Sequence, residues 1–217
     1  MTFRLPAEGS DVTVSDLRRL TTELIDEVQR LLRRCVDADV VFVPVDPQAH
    51  DAAASSRDEA AVAWTLGHIL VHMTASSEES AALAAELARG IPYHGRSRSE
   101  VPWQAMTTVV QCYARLEESR RMRLASLGMW PGSPHLDNVY VPLEGAQAMG
   151  PFERFLSGLK HDADHLDQVR DVASQARTFR KQKTLLGRWR RWWTAHVGNG
   201  ATPEAVAGRF PQNSGLL

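Results

Sequence analysis

The chain has 217 residues, 43% of them hydrophobic and 24% charged, with a formal net charge of -1 and a pI near 6.7. That length favours one domain, or one domain and a tail, over two. The composition excludes a disordered or fibrous chain, and the near-neutral charge excludes the basic footprint of a nucleic-acid-binding domain. Two cysteines, Cys35 and Cys112, are too few for a disulfide framework or a cysteine-rich zinc site, so both read as buried, reduced thiols. The first residues lack the charged start and apolar run of a signal peptide, and no apolar stretch reaches membrane-spanning length. A cytoplasmic protein without a membrane span is expected.

Helical periodicity appears four times, which predicts an all-α four-helix bundle. From Val14 to about Val36 the residues Leu17, Leu20, Leu24, Ile25, Val28, Leu31 and Leu32 share one face, behind capping candidates Thr13 and Ser15. A second, Ala- and Leu-rich pattern runs from about Glu59 to Ala88 and is closed by Gly90 and Pro92. The third runs from about Pro102 to Leu127, with Gly128 suited to a C-terminal cap. The fourth starts near Pro151 and reaches about Ala176.

Two connections are β-prone and interrupted by proline, Val40–Asp46 and Val139–Glu144. In an antiparallel up-down bundle both would sit at one end, where they could cover a common mouth or pair; two unrelated extended loops fit the residues equally well. After the fourth helix the character changes. Arg177, Arg180, Lys181, Lys183, Arg188, Arg190 and Arg191 fall in a stretch without a single acid. Leu185, Trp189, Trp192 and His196 keep helical spacing there, which predicts an additional C-terminal amphipathic helix in a basic extension over 179–217. Such a helix either seeks an anionic surface or packs its tryptophans on its own domain or on a second subunit of a homodimer; packing is the expectation.

Four of the eight histidines form two pairs of identical spacing, His68 with His72 and His161 with His165. Residues i and i+4 of a helix lie on one face about 5–6 Å apart, close enough for two imidazoles to reach one ion. Pairs on two different helices supply what a closed site needs. With both helices entering from one end, His72 and His161 would lie at depths of about 20 Å and about 15 Å and so would meet inside the bundle.

The stretch from Trp64 through Gly67 and His68 to His72 resembles the second-helix motif of the DinB/YfiT-like family, a tryptophan followed eight residues later by a metal-binding histidine. The stretch from Gly150 to Val169, with His161, His165 and Gln168, is similar to that family's last bundle helix. The resemblance covers about residues 14 to 176, so a bundle domain over 1–178 is expected. It implies a divalent ion, zinc or nickel, on His72, His161 and His165. It also implies a small-molecule substrate, with a low-molecular-weight thiol as cosubstrate, since the related mycothiol-dependent maleylpyruvate isomerases carry out thiol reactions. Those enzymes have a carboxylate in place of one histidine; His161 stands at that position here.

His68 is expected in the pocket wall beside the ion, because three protein ligands leave the open position that a catalytic ion requires. Asp162, Asp164 and Glu79 are candidate acceptors for the outer N–H groups of the ligands, and Arg154 a candidate receptor for an anionic substrate group at the mouth. The chemistry expected is that of a metal-dependent thiol transferase or hydrolase working through an activated thiol or water. A non-catalytic stress-response or ligand-binding bundle with a structural ion is the alternative, and it would add His68 to a saturated shell. A third reading makes the basic tryptophan helix an interaction module. A zinc-protease reading rests on the H-D-x-x-H run of His161 to His165, with Asp162 in the place of the usual glutamate.

Overall fold

The computed structural model describes residues 3–7, 10–47, 49, 62–95, 101–142 and 145–196, without the side chains of 195–196. The described residues are helical, and their only strand-like pairing is an isolated antiparallel bridge between Tyr140 and Met149. The helices are α1 (Val14–Leu32), the short α2 (Asp37–Val40), α3 (Leu66–Ala88), α4 (Val109–Gly128) and α5 (Pro151–His196). The chain divides into two compact units, Met1–Arg177 and Thr178–Leu217, and α5 carries residues of both.

Local chemistry sets the boundaries. Thr13 caps α1 by accepting from the Asp16 amide at 3.1 Å, while the Asp16 carboxylate accepts from the Thr13 amide at 3.1 Å. The helix ends at Leu32 rather than Val36, and α2 then takes up Val40, the first residue of the stretch that reads as β-prone. Its Asp37 accepts from the Val109 amide at 2.8 Å and ties α2 to the start of α4.

The second helix does not begin near Glu59. Residues 59–61 lie outside the described set, 62–65 are not helical, and Thr65, with an extended backbone, starts α3 by accepting from the His68 amide at 3.2 Å. Its C-terminus follows the expected pattern. Gly90 takes φ 79°, which a side chain would resist, and the Ile91 amide reaches back to the Glu86 carbonyl at 3.0 Å.

The third helix likewise begins later than Pro102. Trp103–Ala105 forms a 3-10 turn, and Thr108 with Gln111 builds a reciprocal cap for α4. In both corrections a threonine offering its oxygen to an amide three residues on defines the start more strongly than alanine content or a leading proline.

Helix directions overturn the up-down expectation. Tyr113 of α4 donates to the Gln29 carbonyl of α1 at 3.0 Å and Arg18 of α1 to the Leu124 carbonyl of α4 at 3.3 Å, so these two run antiparallel. Gly67 lies against Met106, and Arg115 donates to Thr74 at 3.1 Å, so α3 and α4 run parallel. His72 meets His161 and Ser77 meets Gly158, so α3 and α5 are antiparallel. Connection 89–108 makes this possible. Helices of this size are about 30 Å long, and about twenty residues of extended chain reach twice that.

The two β-prone connections therefore sit at opposite ends and do not pair. Residue Val45 exchanges hydrogen bonds with Gln175, at 2.9 and 3.2 Å, near the far end of the first unit's share of α5. Tyr140 bridges to Met149 just ahead of the start of α5.

Leucines of α1 meet Ile69, Leu70 and Met73 of α3, Leu116 of α4 and Leu159, Leu166 and Val169 of α5 in one core. Most of α3 is buried, with large apolar residues in its first half and mainly Ala and Ser between Ala75 and Ala88, as suits a helix enclosed on several sides. Small residues let α3 and α5 approach closely: a Cβ on Gly158 would lie 2.6 Å from the Ser80 Cβ and 3.3 Å from the Ser77 Cα. The thiols Cys35 and Cys112 are buried and unbridged, and burial pushes the Cys112 thiol up to about 12, which makes it inert at neutral pH.

In the second unit the described residues 178–196 continue α5. Leu185, Leu186, Trp189 and Trp192 are exposed there, and the Trp189 and Trp193 rings lie 5.5 Å apart. The His196 side chain and residues 197–217 of the expected extension lie outside the described residues.

Alanine normally stabilises a helix interior relative to glycine by up to about 1 kcal/mol. At Gly158 the sign should reverse, because the new methyl wedges α3 from α5. Gly158→Ala is expected to lower stability by about 1–3 kcal/mol in urea unfolding; unchanged or raised stability would show that the two helices are not held at this separation.

Candidate metal centre

His72 lies within the first two turns of α3, and His161 and His165 sit about three and four turns into α5. Because the two helices are antiparallel, the residues do not meet at equal depth from a shared end; they meet where the start of α3 passes the middle of the bundle portion of α5. The i, i+4 spacing puts the His161 and His165 rings 4.8 Å apart, and His72 stands 4.8 and 5.1 Å from them. Nε2 of His72 and Nε2 of His161 are 3.0 Å apart, and one donor nitrogen from each of the three lies within 4.8 Å of the others. Ligand nitrogens around tetrahedral zinc, each about 2.0–2.1 Å from the ion, are separated by about 3.3 Å.

The donor set suits a borderline divalent ion. Nδ1 of His165 lies 2.8 Å from Oε1 of Gln168, a carbonyl that accepts the Nδ1 proton and leaves the Nε2 lone pair for the ion. Burial pushes the His165 imidazole below its ordinary value, toward the neutral form a metal takes. Gln168 falls in the stretch that carries the family resemblance, yet the acceptors expected from charge were the three acids.

Those acids prove different from one another. Asp164 is exposed and paired with Lys160 at 2.7 Å, away from the ligands. Glu79 is buried on α3, two turns past His72, and lines a cleft that reaches His161. Asp162 is in the core: Oδ1 accepts from the Ser77 hydroxyl at 2.6 Å and Oδ2 lies 2.8 Å from Nη1 of Arg123, with both charged side chains 1% exposed. It is 3.7 Å from Nδ1 of His161, beyond hydrogen-bond reach. With both oxygens engaged in the core, Asp162 is not placed as the water-activating acid of a zinc protease.

Arg123 had no role in the sequence reading, although a signal existed. It continues the buried stripe of Leu116 and Ser119 at helical spacing, and Ser119 accepts from its Nε at 2.9 Å.

His68 stands apart from the three converging nitrogens. Its ring is sandwiched between Trp64, at 4.5 Å, and Trp103, at 4.6 Å and nearly coplanar. Trp64 also covers His72 at 4.6 Å and His165 at 5.8 Å, so a single indole roofs the site. Trp103 belongs to the connection between α3 and α4 and reaches His68 because that connection returns along the bundle; no local pattern marks it.

On the other side, a cleft of about 490 Å³ opens between α3 and α5 and includes His161 in its lining. Arg154, the expected anion receptor, lines it as well. Comparison with known protein families, with curated proteins and with solved structures finds no match to this chain.

Gln168→Leu is expected to weaken zinc binding about 10–100-fold, measured by chelator competition, because the His165 ring loses the acceptor that orients it. Asp162→Ala strands the Arg123 charge in the core and should cost about 3–5 kcal/mol of stability, whereas replacing both partners by apolar residues should restore much of it. Chemical denaturation of the single and double variants checks this, and a mild single variant would remove the pair as a structural element.

Proposed function

We propose that this chain is a metal-dependent enzyme of the DinB/YfiT-like kind, a thiol transferase or hydrolase, which holds zinc or nickel on His72, His161 and His165. One observation carries the reading: three imidazoles converge beside a cleft of small-molecule size, while the fourth nearby histidine is held apart between two indoles. When bound, an ion with three protein ligands keeps a position open and brings a thiol or water there to the ionised, nucleophilic form near neutral pH.

The chain's own residues supply orientation and exclusion. Gln168 holds the His165 tautomer, Trp64 shields the imidazoles from water, and His68 between Trp64 and Trp103 stiffens that shield. The cleft on the His161 side is where a low-molecular-weight thiol and its acceptor would enter. Buried, unbridged Cys35 and Cys112 suit the reducing cytoplasm, and Cys112, its thiol pushed up by burial, does not compete as a nucleophile. A bundle with a purely structural ion calls instead for a closed shell including His68, and among the described residues the converging set has three members. A homodimer remains part of the proposal through the exposed apolar side chains of the second unit.

His72→Ala and His165→Ala are each expected to lose bound metal, while His94→Ala and His135→Ala keep it. Full occupancy in either of the first two would remove the site. Small thiols should change the visible spectrum of the cobalt-substituted protein, and His68→Ala should keep the metal while altering thiol affinity. Loss of metal in His68→Ala as complete as in His72→Ala would favour the structural-ion alternative.

A further inference from the structure

The cleft that reaches His161 contains a guanidinium that is in no ion pair with a carboxylate of the described residues. Arg154 and His161 lie two turns apart on α5, about 10 Å along its axis, and both line the cleft with Ser157. Arg154 touches Ser157 through Nη1 at 3.2 Å, and its guanidinium stands 6.0 Å from the Tyr140 ring centroid. Its Nε is buried without a hydrogen-bond partner, and among the described residues no carboxylate pairs with it.

An arginine in the first turn of a helix is disfavoured by the helix macrodipole, which is positive there. Its place therefore serves no helix-stabilising purpose; Glu153 already accepts from the Gly150 amide at this helix end, and it is the guanidinium that raises the potential for an anion in the cleft. Tyr93 and Tyr140, stacked at 4.2 Å, give the same cleft an apolar wall, which suits a carbon chain. Arg154 is the one Lys or Arg among the described residues lining the cleft, and a single guanidinium fork matches a ligand with a single negative group.

We infer that this cleft binds an elongated monoanionic carboxylate, whose carboxylate sits on Arg154 and whose opposite end, about 10 Å away, reaches the three histidines. The inference rests on the proposed function for the role of that opposite end and on the cleft alone for the carboxylate. Arg154 acts as a specificity-determining residue, since its forked donors match a carboxylate in a way that a neutral group cannot.

Two binding measurements test it. In the metal-free protein, hexanoate should shift NMR signals of cleft residues at concentrations where hexanol does not, and Arg154→Gln should abolish the difference. In the cobalt-loaded protein, mercaptohexanoate should bind at least about tenfold tighter than mercaptohexanol, and Arg154→Gln should equalise the two while leaving cobalt content unchanged. An acid preference that survives Arg154→Gln, or no acid preference in either measurement, overturns the inference. An Arg154-dependent preference for hexanoate without any thiol effect on cobalt supports the carboxylate subsite and removes the thiol chemistry of the proposed function.

Discussion

The ion pair between Arg123 and Asp162 is the constraint around which the rest of the bundle is arranged. Two charges at 1% exposure can persist only if they meet each other and have further polar neighbours, so α4 and α5 are fixed in register wherever this pair forms. Ser77 from α3 and Ser119 from α4 donate to the acid and accept from the base, which brings three helices to one point. Asp162 is adjacent in sequence to His161. Whatever fixes the carboxylate's helix also fixes the face on which His161 and His165 stand.

Close approach of α3 and α5 does the remaining alignment. Ser77 donates both to Asp162 and to the Gly158 carbonyl, at 2.6 and 2.8 Å, and Gly158 admits Ser80 where any side chain would intrude. These contacts lie one to two turns from His72, so the separation they impose is transmitted to the imidazoles through stiff helix. The serines of α3 thus help to set where the histidines stand, and Ser76 and Ser80 also line the cleft that reaches His161.

Much of this was legible in the residues. Two i, i+4 histidine pairs on different helices marked four candidates, and the family resemblance singled out among them the three whose nitrogens converge, His72, His161 and His165. The all-α class followed from periodicity. Helix direction was not legible by that route: parallel and antiparallel neighbours have the same apolar stripes, and starting the third helix at Pro102 shortened the connection that lets α4 run parallel to α3. The role of Asp162 was missed for a related reason. An acid inside H-D-x-x-H invites a reading through its histidines, whereas its partner Arg123 is distant in sequence and stands out only as a base on a buried stripe. Gln168, a neutral side chain, was passed over for charged candidates, although an imidazole N–H needs only a well-placed carbonyl.

The antiparallel meeting of α3 and α5 has a kinetic consequence. The three histidines are far apart in the chain, His72 and His161 being 89 residues apart, so no local segment preforms the cluster and the last bundle helix must dock before three nitrogens converge. An ion held there would meet all three imidazoles only at that late stage and would add little to the folding transition state. Its influence would fall on the reverse step, slowing escape from the native state and lengthening the lifetime of the folded protein.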